Sequence, residues 1–198
     1  MCHNWLAQVL LYDRRLYPLL LQFDRDLAEA VHAAPCWRCG GRLDCADYPR
    51  KPRGGPKDLG EEYDKRLSFC CAREGCRRRT TPESVRFLGR KVYLGAMVVL
   101  VSAMLQGPTP PRAARLRELF GVSERTLRRW RAWWQTAFAE SPFWKAARGR
   151  LRSPADGASL PLSLLEAFAP EVARERLVFA LRFLAPVTTA SAPNGQAF

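Results

Sequence analysis

Hydrophobic residues recur at three- and four-residue steps near the start of the chain: Leu16, Leu19, Leu20, Phe23, Leu27, Ala30 and Val31. That spacing predicts an amphipathic helix with one apolar stripe. Pro18 falls in an early turn, where its missing N–H does little harm. The stretch 1–34 carries Arg14, Arg15 and Arg25 against Asp13, Asp24, Asp26 and Glu29, a net charge of −1. It reads as a packing helix that caps the next segment, not as a face for a polyanion.

The periodicity stops at residue 35, where cysteines, glycines and prolines replace it. Tyr48 to Lys57, rich in Pro, Gly, Lys and Arg, holds neither a helix nor a central strand and reads as a basic, mobile loop between two strand-and-turn pieces. Apolar residues then return on nearly all sides of a predicted helix from Val85 to Leu105, as a centrally buried spine requires. A further helix is expected over about 160–184, with a frayed tail from Pro186. The fold class predicted is mainly α, with a small zinc-ribbon-like β module and a helix-turn-helix. The expected zones are an N-terminal helical cap (1–34), the zinc-ribbon-like module (35–84), the helix-turn-helix domain (85–140) and a C-terminal helical extension (141–198).

Within the second zone, Cys36-Trp37-Arg38-Cys39-Gly40-Gly41 is a CxxC turn followed by two glycines. The returning half, Phe69 to Cys76, offers a C-x4-C from Cys71 or a C-x5-C from Cys70. Two knuckles supplying four thiolates make the closed tetrahedral site that structural zinc prefers. The expected ligands are Cys36, Cys39, Cys71 and Cys76. Cys71 is preferred to Cys70 because its spacing is shorter and because Leu67, Phe69 and Cys71 alternate onto one face of a strand. Cys2, Cys45 and His32 are left as spare groups. Zinc held this way supplies folding free energy, and four protein ligands leave no open position for catalysis.

Residues 112–136 carry a second pattern. A helix beginning just after Pro110-Pro111 turns Ala113, Leu116, Leu119 and Phe120 inward. Gly121 supplies a tight turn, Val122 plugs the corner, and Ser123 caps a second helix whose buried stripe is Leu127, Trp130 and Trp134. Arg125, Thr126, Arg128, Arg129 and Arg131 are left outside. In a helix-turn-helix the start of the second helix enters the major groove, where Arg reads guanine bidentately. Arg125 and Arg128, one turn apart, are expected nearer the bases; Arg129 and the run Arg77, Arg78, Arg79 are expected nearer phosphate. The tryptophans at 130, 133 and 134 fit core packing better than stacking on bases.

Composition sharpens this picture. The 198 residues include 32 Lys plus Arg against 19 Asp plus Glu, a formal charge of +13. Between 112 and 152, eleven basic residues face three glutamates. A chain this basic is suited to a polyanion, of which nucleic acid is the commonest. The longest nearly apolar run, Val92 to Leu105, has fourteen residues, short of the roughly 20 that span a bilayer. The start of the chain lacks a signal-peptide pattern, and seven cysteines with metal-ligand spacing point to reduced thiols in a cytoplasm.

Taken together, the Cys-x-x-Cys-Gly knuckle, the second knuckle running into Arg77-Arg78-Arg79-Thr80-Thr81-Pro82, the apolar helix and the helix-turn-helix pattern resemble the N-terminal DNA-binding region of bacterial insertion-sequence transposases. The resemblance covers about residues 35–136. It implies a zinc ribbon and helix-turn-helix that bind element ends, with three metal-binding carboxylates in a separate catalytic domain. This sequence departs there: after residue 140 its acidic residues are Asp156, Glu166, Glu171 and Glu175, with no Asp and Glu on separated strands. The expectation is therefore a non-enzymatic, nucleoid-associated binder of double-stranded DNA, acting as a regulator or transposition accessory factor. Two other classes stay open: a truncated or unrecognised transposase or nuclease, and a zinc scaffold that binds RNA or protein.

Overall fold

Leu16–His32 forms the first helix, α1, with Pro18 in its opening turn. Its buried residues are Leu16, Tyr17, Leu20, Leu21, Asp24 and Ala28. The inward face is thus rotated from the expected stripe: Leu19 and Ala30 are exposed, and Phe23, Leu27 and Val31 are half-buried. The reason is a polar partner, because Asp24 points inward to an arginine 62 residues away. The computed structural model describes residues 13–50, 52–56, 58–88, 92–105, 110–168 and 171–189. Cys2, His3, Lys51, Lys57, the end of the expected tail and the side chain of Ala113 lie outside the described residues.

Two units divide the chain. The first comprises 15–94 with 182–198, and the second 95–181 with 1–14.

In the first unit, strands β1 (Leu43–Cys45), β4 (Phe69–Cys71) and β5 (Arg79–Thr80) form an antiparallel sheet with β4 in the middle. Leu43 lies opposite Cys71, and Cys70 opposite Arg79. A second ribbon pairs β2 (Tyr48–Pro49) with β3 (Lys65–Arg66). The loop expected over 48–57 therefore begins as a strand. Pro49 is tolerated because a two-stranded ribbon is all edge, so a missing donor costs little.

The helix expected from Val85 to Leu105 is only half present: α2 is Gly95–Met104. Before it the backbone is committed elsewhere. The Val85 amide donates to Asp24 Oδ1 at 2.7 Å, and the Arg86 and Phe87 amides donate to Ser84 Oγ at 3.1 Å each. Phe87 bridges to Leu94, and Tyr93 to Arg53. The apolar residues 85, 87 and 88 are buried as expected, but from an irregular segment.

That segment delivers Arg86 to the centre of the first unit. Its Nε lies 2.7 Å from Asp24 Oδ2, with both side chains 0% exposed. Nη1 and Nη2 donate to the carbonyls of Tyr63 and Lys65 at 3.0 Å each. Asp24 also accepts from Ser84 Oγ at 2.6 Å. Each nitrogen of the guanidinium and each oxygen of the carboxylate thus has a partner, which lowers the cost of burying an ion pair. The guanidinium further packs over the Tyr63 and Phe87 rings, 4.8 and 4.9 Å from their centroids.

In the second unit all ten residues of α2 are buried, and α2 packs against α4 (Glu124–Trp133) and α6 (Leu162–Glu166). Helix α3 (Pro110–Phe120) precedes α4, and α5 is Pro142–Ala147. The chain continues past α4 through one π-helical turn, Trp134–Phe138. Residues at four-residue steps drift by about 40° each round a regular helix, and the wider turn offsets this. Trp130, Trp134 and Phe138 are accordingly all buried. Trp133 and Trp134 join Phe138 in one aromatic cluster, so core packing is where these tryptophans sit.

The single helix expected over 160–184 is two, α6 and α7 (Ala173–Leu184). Pro170 stands between them in the sequence and disfavours helix both at its own position and at the residue before it. No helix among the described residues is long and apolar enough to cross a membrane.

Candidate functional site

The two knuckles come together at the end of the three-stranded sheet. In the first, the Cys39 and Gly40 amides both turn back on the Cys36 carbonyl, at 3.2 and 2.8 Å, while the Cys36 amide donates to Gly41 O at 2.8 Å. In the second, the Cys76 and Arg77 amides donate to Arg73 O. Each turn thus closes a ring that leaves its cysteine sulfurs facing one point. Gly40 takes a φ of +68°, which a side chain would resist.

Cys36, Cys39, Cys71 and Cys76 place their sulfurs all within 4.8 Å of one another. Cys36 and Cys76 are 3.9 Å apart, and Cys39 and Cys71 3.4 Å. Four sulfurs held about 2.3 Å from one tetrahedral ion sit about 3.8 Å from each other. The observed separations match, so these four side chains fit a metal ion. Cys71 lies inside the cluster while Cys70, on the other side of β4, directs its sulfur to the Arg77 carbonyl at 3.3 Å. Strand alternation decides between the two neighbours. Cys45 is exposed. His32 donates from Nε2 to the Leu43 carbonyl at 3.0 Å and stacks on Phe69 at 4.8 Å, so it serves packing.

The thiols are already differentiated. The Gly41 amide, then the Cys71 and Cys76 thiols, bring Cys39 down to about 7. Burial pushes Cys71 up to about 12. Cys39 is thus more readily ionised than Cys71, and a bound dication would draw the remaining protons off.

Two residues here carry roles that spacing alone does not announce. A Cβ on Gly41 would lie 3.1 Å from Cys71 Sγ and 3.4 Å from Cys39 Sγ, so the second glycine is there for close approach. Arg73 ties the knuckles together by donating to the Cys39 carbonyl at 2.9 Å. The Gly-Gly pair after CxxC is a visible signal for the first; nothing local signals the second.

On α3 and α4 the sequence pattern meets a definite local geometry. Gly121 has φ +61°, Val122 is buried, and the Thr126 amide donates to Ser123 Oγ at 3.3 Å, capping α4. Leu116 is buried, but Leu119 is 37% exposed instead of inward. It stands one residue before the end of α3. Leu127 and Trp130 are buried, and Arg125, Arg128, Arg129 and Arg131 are exposed, with Thr126 half-buried. Glu124 reaches Arg128 at 3.5 Å. Loss of the cap in Ser123→Ala should lower the stability of the second unit by about 1 kcal/mol, read as a shift in its unfolding midpoint; no shift would mean the hydroxyl does not cap in solution.

The run Arg77, Arg78, Arg79 is not three equivalent cations. Arg79 donates to Ala46 O and Ser68 Oγ and lies over the Tyr48 ring. Arg78 lies over Trp37. Arg77 has φ +42°, the left-handed conformation that ends the second knuckle. All three are exposed. Comparison of the chain with protein-family models, with curated proteins and with solved structures gives no match.

Proposed function

We propose that this chain is a zinc-stabilised helix-turn-helix protein that binds double-stranded DNA, derived from the DNA-binding part of a mobile-element transposase and acting as a regulator or transposition accessory factor. The observation that carries the reading is the outer face of α4, where four exposed arginines stand opposite a buried Leu127 and Trp130 behind a Ser123 cap. A capped helix with its cations all outward is the form that enters a major groove. The four-cysteine cage gives zinc a closed, purely structural place. Such a protein works where its duplex is, in the cytoplasm at the nucleoid.

Binding is proposed without cutting. Asp156 accepts from the Ala158 amide and Ser159 Oγ, and Glu166 and Glu175 lie on separate helices, so these carboxylates serve turns and solvent. Among the described residues, the cysteines are the one grouping of three or more metal-capable side chains.

The test is duplex titration at several salt concentrations after selection of bound sequences from a random pool. Arg125→Ala is expected to cost about 1–3 kcal/mol and relax preference at one base pair. Arg128→Ala should do less, because Glu124 already engages its guanidinium. Arg129→Ala should weaken all sequences alike and lower the salt slope by about one. If neither Arg125→Ala nor Arg128→Ala changes affinity or preference, the basic face is only solvated. Magnesium- or manganese-dependent cleavage abolished by one acidic substitution would replace this reading with a nuclease.

A further inference from the structure

The first knuckle also presents a residue that zinc does not need. Trp37 lies between two of the clustered cysteines and is 65% exposed, the most exposed of the large hydrophobic side chains among the described residues. Tryptophan is usually well buried because its ring removes so much apolar surface from water. The turn that aims Cys36 and Cys39 inward leaves the two residues between them, Trp37 and Arg38, outward. The Arg78 guanidinium of the second knuckle sits 5.1 Å from its ring centroid.

The charge around this ring is of one sign. Over 36–42 and 71–79 there are six arginines and one glutamate. Four thiolates round a dication leave two negative charges, so part of that excess balances the metal cage and part does not. Arg42 is engaged by Asp44 at 3.0 Å, while Arg73 and Arg79 are tied to carbonyls. Arg38 and Arg77 are exposed on the two knuckles, and Arg78 is exposed against the indole. An accessible indole with one guanidinium against it, in knuckles that keep positive charge, matches a stacked base with its phosphates rather than an apolar partner.

We propose that Trp37 and Arg78 form a stacking platform for an unpaired base of single-stranded DNA, such as a frayed or displaced strand. The proposal rests on the nucleic-acid reading of the chain but uses none of α4, so the two can fail separately.

The experiment compares binding of the metal-loaded full chain to a twenty-nucleotide oligothymidylate and to a blunt duplex. Trp37→Ala should weaken the single strand about 5- to 150-fold, leave zinc content at one per chain and change duplex affinity less than about twofold. Trp37→Phe, which keeps a stacking face, should recover most of the loss. Arg78→Ala should weaken the single strand while keeping the metal. Arg125→Ala should show the converse selectivity, losing duplex only. If Trp37→Ala loses its metal, the decision passes to Arg78→Ala and Trp37→Phe. Unchanged single-strand affinity in Trp37→Ala and Arg78→Ala, or no binding of the oligothymidylate by the native chain, overturns the proposal.

Discussion

Stripping the metal from this chain, or replacing Cys71 with serine, is expected to unfold the segment from Cys36 to Thr80. The buried hydrophobic cluster there is Ala28, Cys36, Leu43, Phe69 and Cys71. Two of these five are cysteines of the four-cysteine cluster, and the strands are two or three residues long. So small a core does not offset the ordering entropy of the segment by itself. A structural zinc contributes about 10–16 kcal/mol of apparent binding free energy, comparable with the whole stability of an ordinary domain. Elemental analysis should find one zinc per native chain and none in Cys71→Ser or Cys39→Ser. Amide exchange over residues 36–80 should rise to nearly unprotected rates in both. Cys70→Ser is the control: its sulfur faces the Arg77 carbonyl, away from the cage, and metal and protection should stay. Retained zinc in Cys71→Ser, or its loss in Cys70→Ser, would show that the cage is not the one described.

The second large effect lies at Asp24 and Arg86. Each is fully buried, and each is the other's charge partner. Asp24→Ala leaves a guanidinium in the interior with two carbonyls and no anion, and also strips the Ser84 hydroxyl and Val85 amide of their acceptor. Breaking one side of a buried pair costs about 3–5 kcal/mol, enough to bring many domains to the edge of unfolding. Arg86→Met should cost a similar amount, since it leaves the carboxylate unpaired. The double variant Asp24→Leu with Arg86→Met should be more stable than either single one, because two charges are removed together. Denaturant unfolding of the four proteins measures this directly. Equal stability of Asp24→Ala and the native chain would mean that water reaches the pair and the burial is not real.

These two centres differ in how far the amino-acid order reveals them. The cage is readable because a knuckle is local: CxxC followed by glycines fixes a turn within six residues, and two such turns near each other suffice. The choice between Cys70 and Cys71 also follows, since alternation along one strand puts adjacent side chains on opposite faces. The ion pair is not readable. Asp24 is one of several charges on a helix, and Arg86 a polar interruption in an apolar run. Nothing within either segment relates them.

The same division runs through the helices. The cap at Ser123, the left-handed Gly121 and the outward arginines of α4 depend on neighbours three or four residues apart, so the sequence by itself determined them. Apolar content likewise determined that residues 95–104 lie in a core. It did not determine that 85–88 and 92–94 stay out of the helix, because periodicity reports burial, and a buried irregular segment carries the same letters. There the tertiary structure decided: Phe87 bridges to Leu94 and Tyr93 to Arg53, pairings that a continuous helix does not allow. It also decided which face of α1 turns inward, and that Arg79 is held by the Ala46 carbonyl and the Ser68 hydroxyl while Arg78 lies over Trp37. Backbone turns are fixed by short-range sterics and hydrogen bonds, whereas the partner of a long side chain is whatever the fold brings within its reach.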